Sequence, residues 1–218
     1  MVYLKLSRLA FLSRINRVIF SACLAVTPSL VLGGGVALID TPKTPSGDPR
    51  LATAGSPKCA PSDHGERMNA LLTSTQTADG PVRHYPLATC PRIEAADVAQ
   101  AIGAAARDGA EAIAVPLRVD LAALYADYPE AMEGSSHTRV VAAYSVADAG
   151  RYEPLPDALD AWTYAAGKIG GVKPGAYARV PVERAEVPES VTVDGQSYAF
   201  GPSSSAAAVV VAGRWLAD

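Results

Sequence analysis

Net charge, cysteine and bulky aliphatic side chains are all scarce in this chain of 218 residues, and each scarcity removes a class of function. Lys and Arg total 19 against 22 Asp and Glu, a net charge of −3, which leaves no basic footprint for nucleic acid. With 17 Pro and 18 Gly the chain is neither fibrous nor collagen-like. Three cysteines and three histidines supply no C-x-x-C and no H-E-x-x-H, and His64, His84 and His137 share no i, i+4 spacing of the kind that forms a helical zinc pair. Neither a metal nor a cofactor is expected.

Large aliphatic residues are thin as well. Beyond residue 39, Leu, Ile, Val and Phe number 31 of 179 residues, whereas alanine numbers 37. A methyl group buries little area, so a modest core is expected.

What the sequence does have begins at the N-terminus. Lys5, Arg8, Arg14 and Arg17 precede an uncharged run over 18–39, VIFSACLAVTPSLVLGGGVALI, and no acidic residue occurs before Asp40. A basic flank followed by an apolar run reads as a membrane-insertion signal with the N-terminus cytoplasmic and the remainder translocated. Residues 1–39 are therefore read as a signal peptide, with Gly33 or Ala37 before the cut, or as a retained membrane anchor through 18–39. Residues 40–58 carry closely spaced prolines and read as a linker. An exported domain over 59–218 follows.

In that domain the spacing predicts a helix over 93–108, a strand over 111–119, a helix from the N-cap Asp120 to Tyr128, a strand over 138–146 and a helix over 157–169. Asp194-Gly195 marks a two-residue hairpin turn pairing Val193 with Gln196 and Val191 with Tyr198. The apolar run over 206–216 reads as a central strand. A helix-rich middle and strand-rich end imply an α+β fold with a mostly antiparallel sheet and about three helices.

Chemistry-bearing residues are sparse. Cys59 and Cys90 form the one pair in the exported part, and in an oxidising compartment they read as a disulfide. His64 has Asp63 and Glu66 nearby, but loop histidines are the simpler account. No G-x-S-x-G occurs: 201–205 reads GPSSS and 134–137 reads GSSH. Ser135 and Ser136 beside His137 make no relay by adjacency alone. Asp148, Glu153, Asp157 and Asp160 cluster at a proline-rich bend, where an acid pair is conceivable. Tyr164 to Lys168, Y-A-A-G-K, has the tyrosine–lysine spacing of short-chain dehydrogenases, but the only three consecutive glycines lie in the apolar N-terminal run, so no dinucleotide turn supports it.

The sequence thus points to an exported, non-catalytic binding or structural component of a cell-envelope, secretion or surface assembly, with other assembly proteins as partners. Two alternatives stay open: an extracytoplasmic hydrolase with a site assembled from distant residues, and a virion or self-assembling surface protein.

Overall fold

Four helices and eight strands are described by the computed structural model, which covers residues 34–42, 63–77, 80–88, 92–167 and 180–216. Six strands form one sheet: β1 (Val36–Asp40), β2 (Val82–Pro86), β3 (Ala112–Val115), β4 (Arg139–Ala143), β5 (Trp162–Gly167) and β6 (Val182–Ala185). Their order is β2-β1-β3-β4-β5-β6 and every pairing is parallel. Helices α1 (His64–Thr75) and α4 (Ser204–Arg214) cover one face, and α2 (Ala95–Arg107) and α3 (Leu121–Asp127) cover the other. A separate antiparallel hairpin joins β7 (Ser190–Val193) to β8 (Gln196–Ala199).

This α/β architecture corrects the α+β, mostly antiparallel expectation, and three segments account for the difference. Val36–Ile39 end the apolar N-terminal run, yet they form β1, fully buried between β2 and β3. A strand covered on both faces has no polar alternation, so its sequence is indistinguishable from the end of an export segment. A cut after Ala37 would fall inside β1. Among the described residues no helix is long and apolar enough to cross a membrane, which corrects the transmembrane expectation there; residues 1–33 lie outside the described set.

The 206–216 run is the second correction. It belongs to α4, whose residues 206–213 are all buried. A helix packed all round is apolar all round, and eleven residues is long for a strand. Ser203 caps it, its hydroxyl accepting from the Ala206 N–H at 3.2 Å. The third correction is Trp162–Gly167, read as part of a helix over 157–169 but forming β5 after a short 3-10 turn at Asp157–Leu159.

α1, β2 and β6 carry no expectation from the sequence, and His64 and His84, read as loop histidines, lie in α1 and β2; α2, α3, β3, β4 and the hairpin fall where the sequence puts them. Asp120 caps α3 by accepting from the Ala123 N–H at 3.1 Å, and the hairpin has the register its Asp-Gly turn dictates, with φ of 51° and 82° at Asp194 and Gly195.

The two sheet faces differ in bulk. Toward α2 and α3 the strands present Ile39, Ile113, Val140, Trp162 and Tyr164; toward α1 and α4 they present Leu38 and Val141 but also Ala112, Ala114 and Ala165. The alanines face Ala206, Ala207, Ala208 and Ala212 of α4 in one cluster, so the abundant methyl groups serve close helix–sheet packing.

Candidate active site

All six parallel strands end at one edge of the sheet, and the side chains of chemical interest gather there. Asp40 is the last residue of β1 and is fully buried. Its Oδ1 accepts from the Thr41 N–H at 2.7 Å. His64 opens α1, and its Nδ1 lies 2.9 Å from Asp40 Oδ1 and 2.8 Å from Oδ2. A carboxylate can only accept, so Nδ1 carries the proton and Nε2 is left with the lone pair.

Close backbone approach makes this contact possible. The Gly65 N–H donates to Thr41 Oγ1 at 2.8 Å, and a Cβ on Gly65 would stand 1.8 Å from the Thr41 carbonyl oxygen. Only glycine lets the start of α1 descend onto the end of β1.

α4 brings a row of serines to the same edge. Near the C-terminal ends of α1 and α4, Thr77 Oγ1 donates to the Gly213 carbonyl at 3.5 Å, and a Cβ on Gly213 would lie 3.4 Å from Gln76 Cα. Near their beginnings, Tyr198 Oη donates to Glu66 Oε1 at 2.9 Å, and the Arg67 guanidinium donates to the Ala199 carbonyl. The two helices therefore run side by side in the same direction, with both N-termini at the carboxyl edge. The end of β5 confirms the placement: a Cβ on Gly167 would stand 2.3 Å from the Pro202 carbonyl oxygen.

Of the serines at the start of α4, Ser203 is exposed and serves as the cap, while Ser204 and Ser205 are half-buried. At ~100° per residue, Ser205 lies about 80° around the helix from Gly213 and Ser204 about 180° from it. Gly213 marks the side of α4 that meets Leu72 of α1 and Gln76 at its C-terminal cap. Ser205 thus points at about a right angle to the α1-facing side, nearer to it than Ser204, which lies on the opposite side.

A hollow of about 440 Å³ opens at the same edge, where the segment after β3 meets the starts of α2 and α3. Ile93, Val98, Leu117, Val119 and Leu124 give it apolar walls, and Glu94, Arg118 and Asp127 add charge.

The remaining sequence candidates lie elsewhere. Cys59, Cys90 and Lys168 fall outside the described residues. His84 sits on β2, in register with Leu38. His137 ends a 3-10 turn in a hollow shared with Glu111 and Trp215. Ser135 is buried and donates to the Met132 carbonyl at 2.6 Å. Glu66 is engaged with Tyr198. Asp148 lies 3.7 Å from Arg151 in a pair whose arginine is well exposed, and Asp157 stands in the turn before β5. Tyr164 is buried and accepts the Leu121 N–H at 2.9 Å, a structural role; burial pushes its phenol well above the ordinary value. Among the described residues no group of three or more His, Cys, Asp and Glu could hold a metal ion.

Sequence reasoning missed Asp40 altogether. It looks like the first residue of a linker, and only its position directly after a four-residue apolar run, VALI, hints at a strand end.

No family model matches the chain, and neither does any curated protein. Among solved structures, the prenylagaramide maturation protease PagA is similar to it at 16% identity and a TM-score of 0.50, over 84% of this chain and 74% of that one. The patellamide maturation protease PatA is similar at 16% identity and a TM-score of 0.45, over 84% and 76%. The fold is subtilisin-like. This likeness, together with the buried Asp40–His64 pair, overturns the expectation of a non-catalytic binding or structural component and favours the hydrolase alternative.

Proposed function

We propose that this protein is a serine hydrolase of the protease type, with Asp40 orienting His64, His64 acting as general base and Ser205 as nucleophile. The observation that carries this reading is the fully buried Asp40 carboxylate against His64 Nδ1 at the carboxyl edge of a parallel sheet, where α/β proteins place their ligands. The chain order Asp, His, Ser is that of the subtilisin arrangement, and PagA, which shares the fold, is described as a maturation protease.

The chemistry follows from the parts. Nε2 takes the proton of Ser205 Oγ as the oxygen attacks the acyl carbon, and the imidazolium that forms is stabilised by the buried carboxylate. The N–H of Ser205 lies in the first turn of α4, where no intrahelical acceptor exists, and serves as one donor to the oxyanion. His64 then gives the proton to the leaving amine, and water, deprotonated by the same nitrogen, releases the acyl group. The apolar hollow beside Leu117 receives an aliphatic substrate side chain. On the sequence alone we also place the protein outside the cytoplasm, where Cys59 and Cys90 would pair.

Labelling with an alkyl fluorophosphonate tests the assignment. The wild type should be labelled and mass spectrometry should find the adduct on Ser205. S205A should lose labelling, S204A should keep it, and D40N should slow it by about 10³- to 10⁴-fold. An unlabelled wild type, or an adduct on another residue, overturns it.

A further inference from the structure

Arg67 stands three residues after His64 and reaches across to the chain that leads into α4. Its guanidinium donates to the Ala199 carbonyl and lies over the Phe200 ring, 5.6 Å from the centroid. Phe200 is itself buried, and its N–H donates to the Glu189 carbonyl at 2.8 Å, so the backbone that carries the ring under Arg67 is anchored. Only residues 201–204 separate Phe200 from Ser205. One side chain therefore ties the first turn of the helix bearing His64 to the segment that delivers the serine. The Glu66–Tyr198 bond at 2.9 Å is a second strap between the same two elements.

We propose that Arg67 is a positioning residue that sets the spacing of His64 and Ser205, an inference that rests on the serine-hydrolase reading. The helices are also joined far from the site, through Leu72, Gln76 and Gly213, so losing Arg67 leaves them packed but lets their N-termini pivot. Proton transfer from Oγ to Nε2 is intolerant of such movement: a displacement of 1 Å costs about 100-fold in rate. Arginine suits the task because its flat cation stacks on the ring while its fork reaches the carbonyl. Lysine keeps the charge and one donor but loses the stacking plane.

The test uses the full chain with R67M, R67K and Y198F. Saturating fluorophosphonate should label R67M about 10- to 100-fold more slowly than wild type, with the half-saturating concentration within about twofold, which separates positioning from binding. R67K should recover part of the loss, and Y198F should show a smaller one. Hydrogen exchange read on the peptide 199–206 reports the clamp without reference to chemistry: it should quicken in R67M while the peptide 68–75 stays protected. R67M with wild-type labelling and wild-type exchange overturns the proposal. Quickened exchange with a wild type that fails to label keeps the clamp and overturns the hydrolase reading instead.

Discussion

Asp40 shows how much a single position can carry. Buried without its imidazole, the carboxylate would cost several kcal/mol of desolvation; with Nδ1–H and the Thr41 amide as donors it is satisfied, and it fixes the tautomer that leaves Nε2 basic. Gly65 is the second such position, because its absent Cβ is what lets α1 reach β1. G65A should therefore lower stability by about 1–3 kcal/mol, since the obstructing atom is backbone and cannot rotate away. It should also slow fluorophosphonate labelling well beyond what the loss of folded protein explains. Thermal unfolding and labelling rate on one preparation check both, and a variant with wild-type values in each would show that the close approach is dispensable.

Among the elements, α2, α3, β3, β4 and the hairpin could be read from the sequence because their signals are local: an amphipathic stripe, an Asp cap, an Asp-Gly turn. β1, β5 and α4 could not: burial erases the polar alternation that distinguishes period 2 from period 3.6, so β1 merges with the apolar run before it, β5 with the helical pattern before it and α4 reads as one strand, whereas the equally buried β3 is set off by Gly109 and Pro116. The candidate site was half legible. His64 attracted notice through its neighbours Asp63 and Glu66, but its partner is 24 residues away in a strand that resembled an export signal. The serines at 203–205 were seen only as a failed G-x-S-x-G. The alanine-lined contact of α4 with the sheet gives a prediction of its own: Ala208 is fully buried there, so Ala208→Leu should destabilise by about 1–3 kcal/mol. That lowers the melting temperature by roughly 2–4 °C per kcal/mol in a chain of this size. A melting temperature unchanged by the substitution would mean that α4 packs loosely.

For the molecule as a whole, the bulky face of the sheet sets an alkaline limit. Tyr144, Tyr152 and Tyr164 form a cluster with ring centroids 4.8–6.1 Å apart, and burial raises the phenol pKa of Tyr152 and of Tyr164. On the sheet's edge strand, burial and then the bond to Asp108 push Tyr85 up to about 12 from its ordinary 10.0. A phenol whose folded value exceeds its unfolded one adds stability that is fully present below the unfolded value. That stability is lost as pH rises through the folded one, because the unfolded chain then binds fewer protons. Stability should hold up to about pH 10 and decline from there toward pH 12. Absorbance at 295 nm should show a class of tyrosines that ionises late and together with the loss of far-ultraviolet dichroism; if all nine tyrosines titrate near their ordinary value in folded protein, this limit does not exist.

The parallel sheet also imposes a timetable. β1 is the first described strand in the chain, yet it lies between β2 and β3, so it waits for residues 82–86 to supply its first neighbour and for 112–115 to supply its second. Asp40 and His64 can meet once that pairing forms, but the serine row arrives only with α4, the last described helix, which closes over β1, β3, β4 and β5 together. On the serine-hydrolase reading, a growing or half-folded chain therefore carries a base with nothing to deprotonate. On that reading, base and nucleophile stay apart along the chain until α4 closes over the sheet.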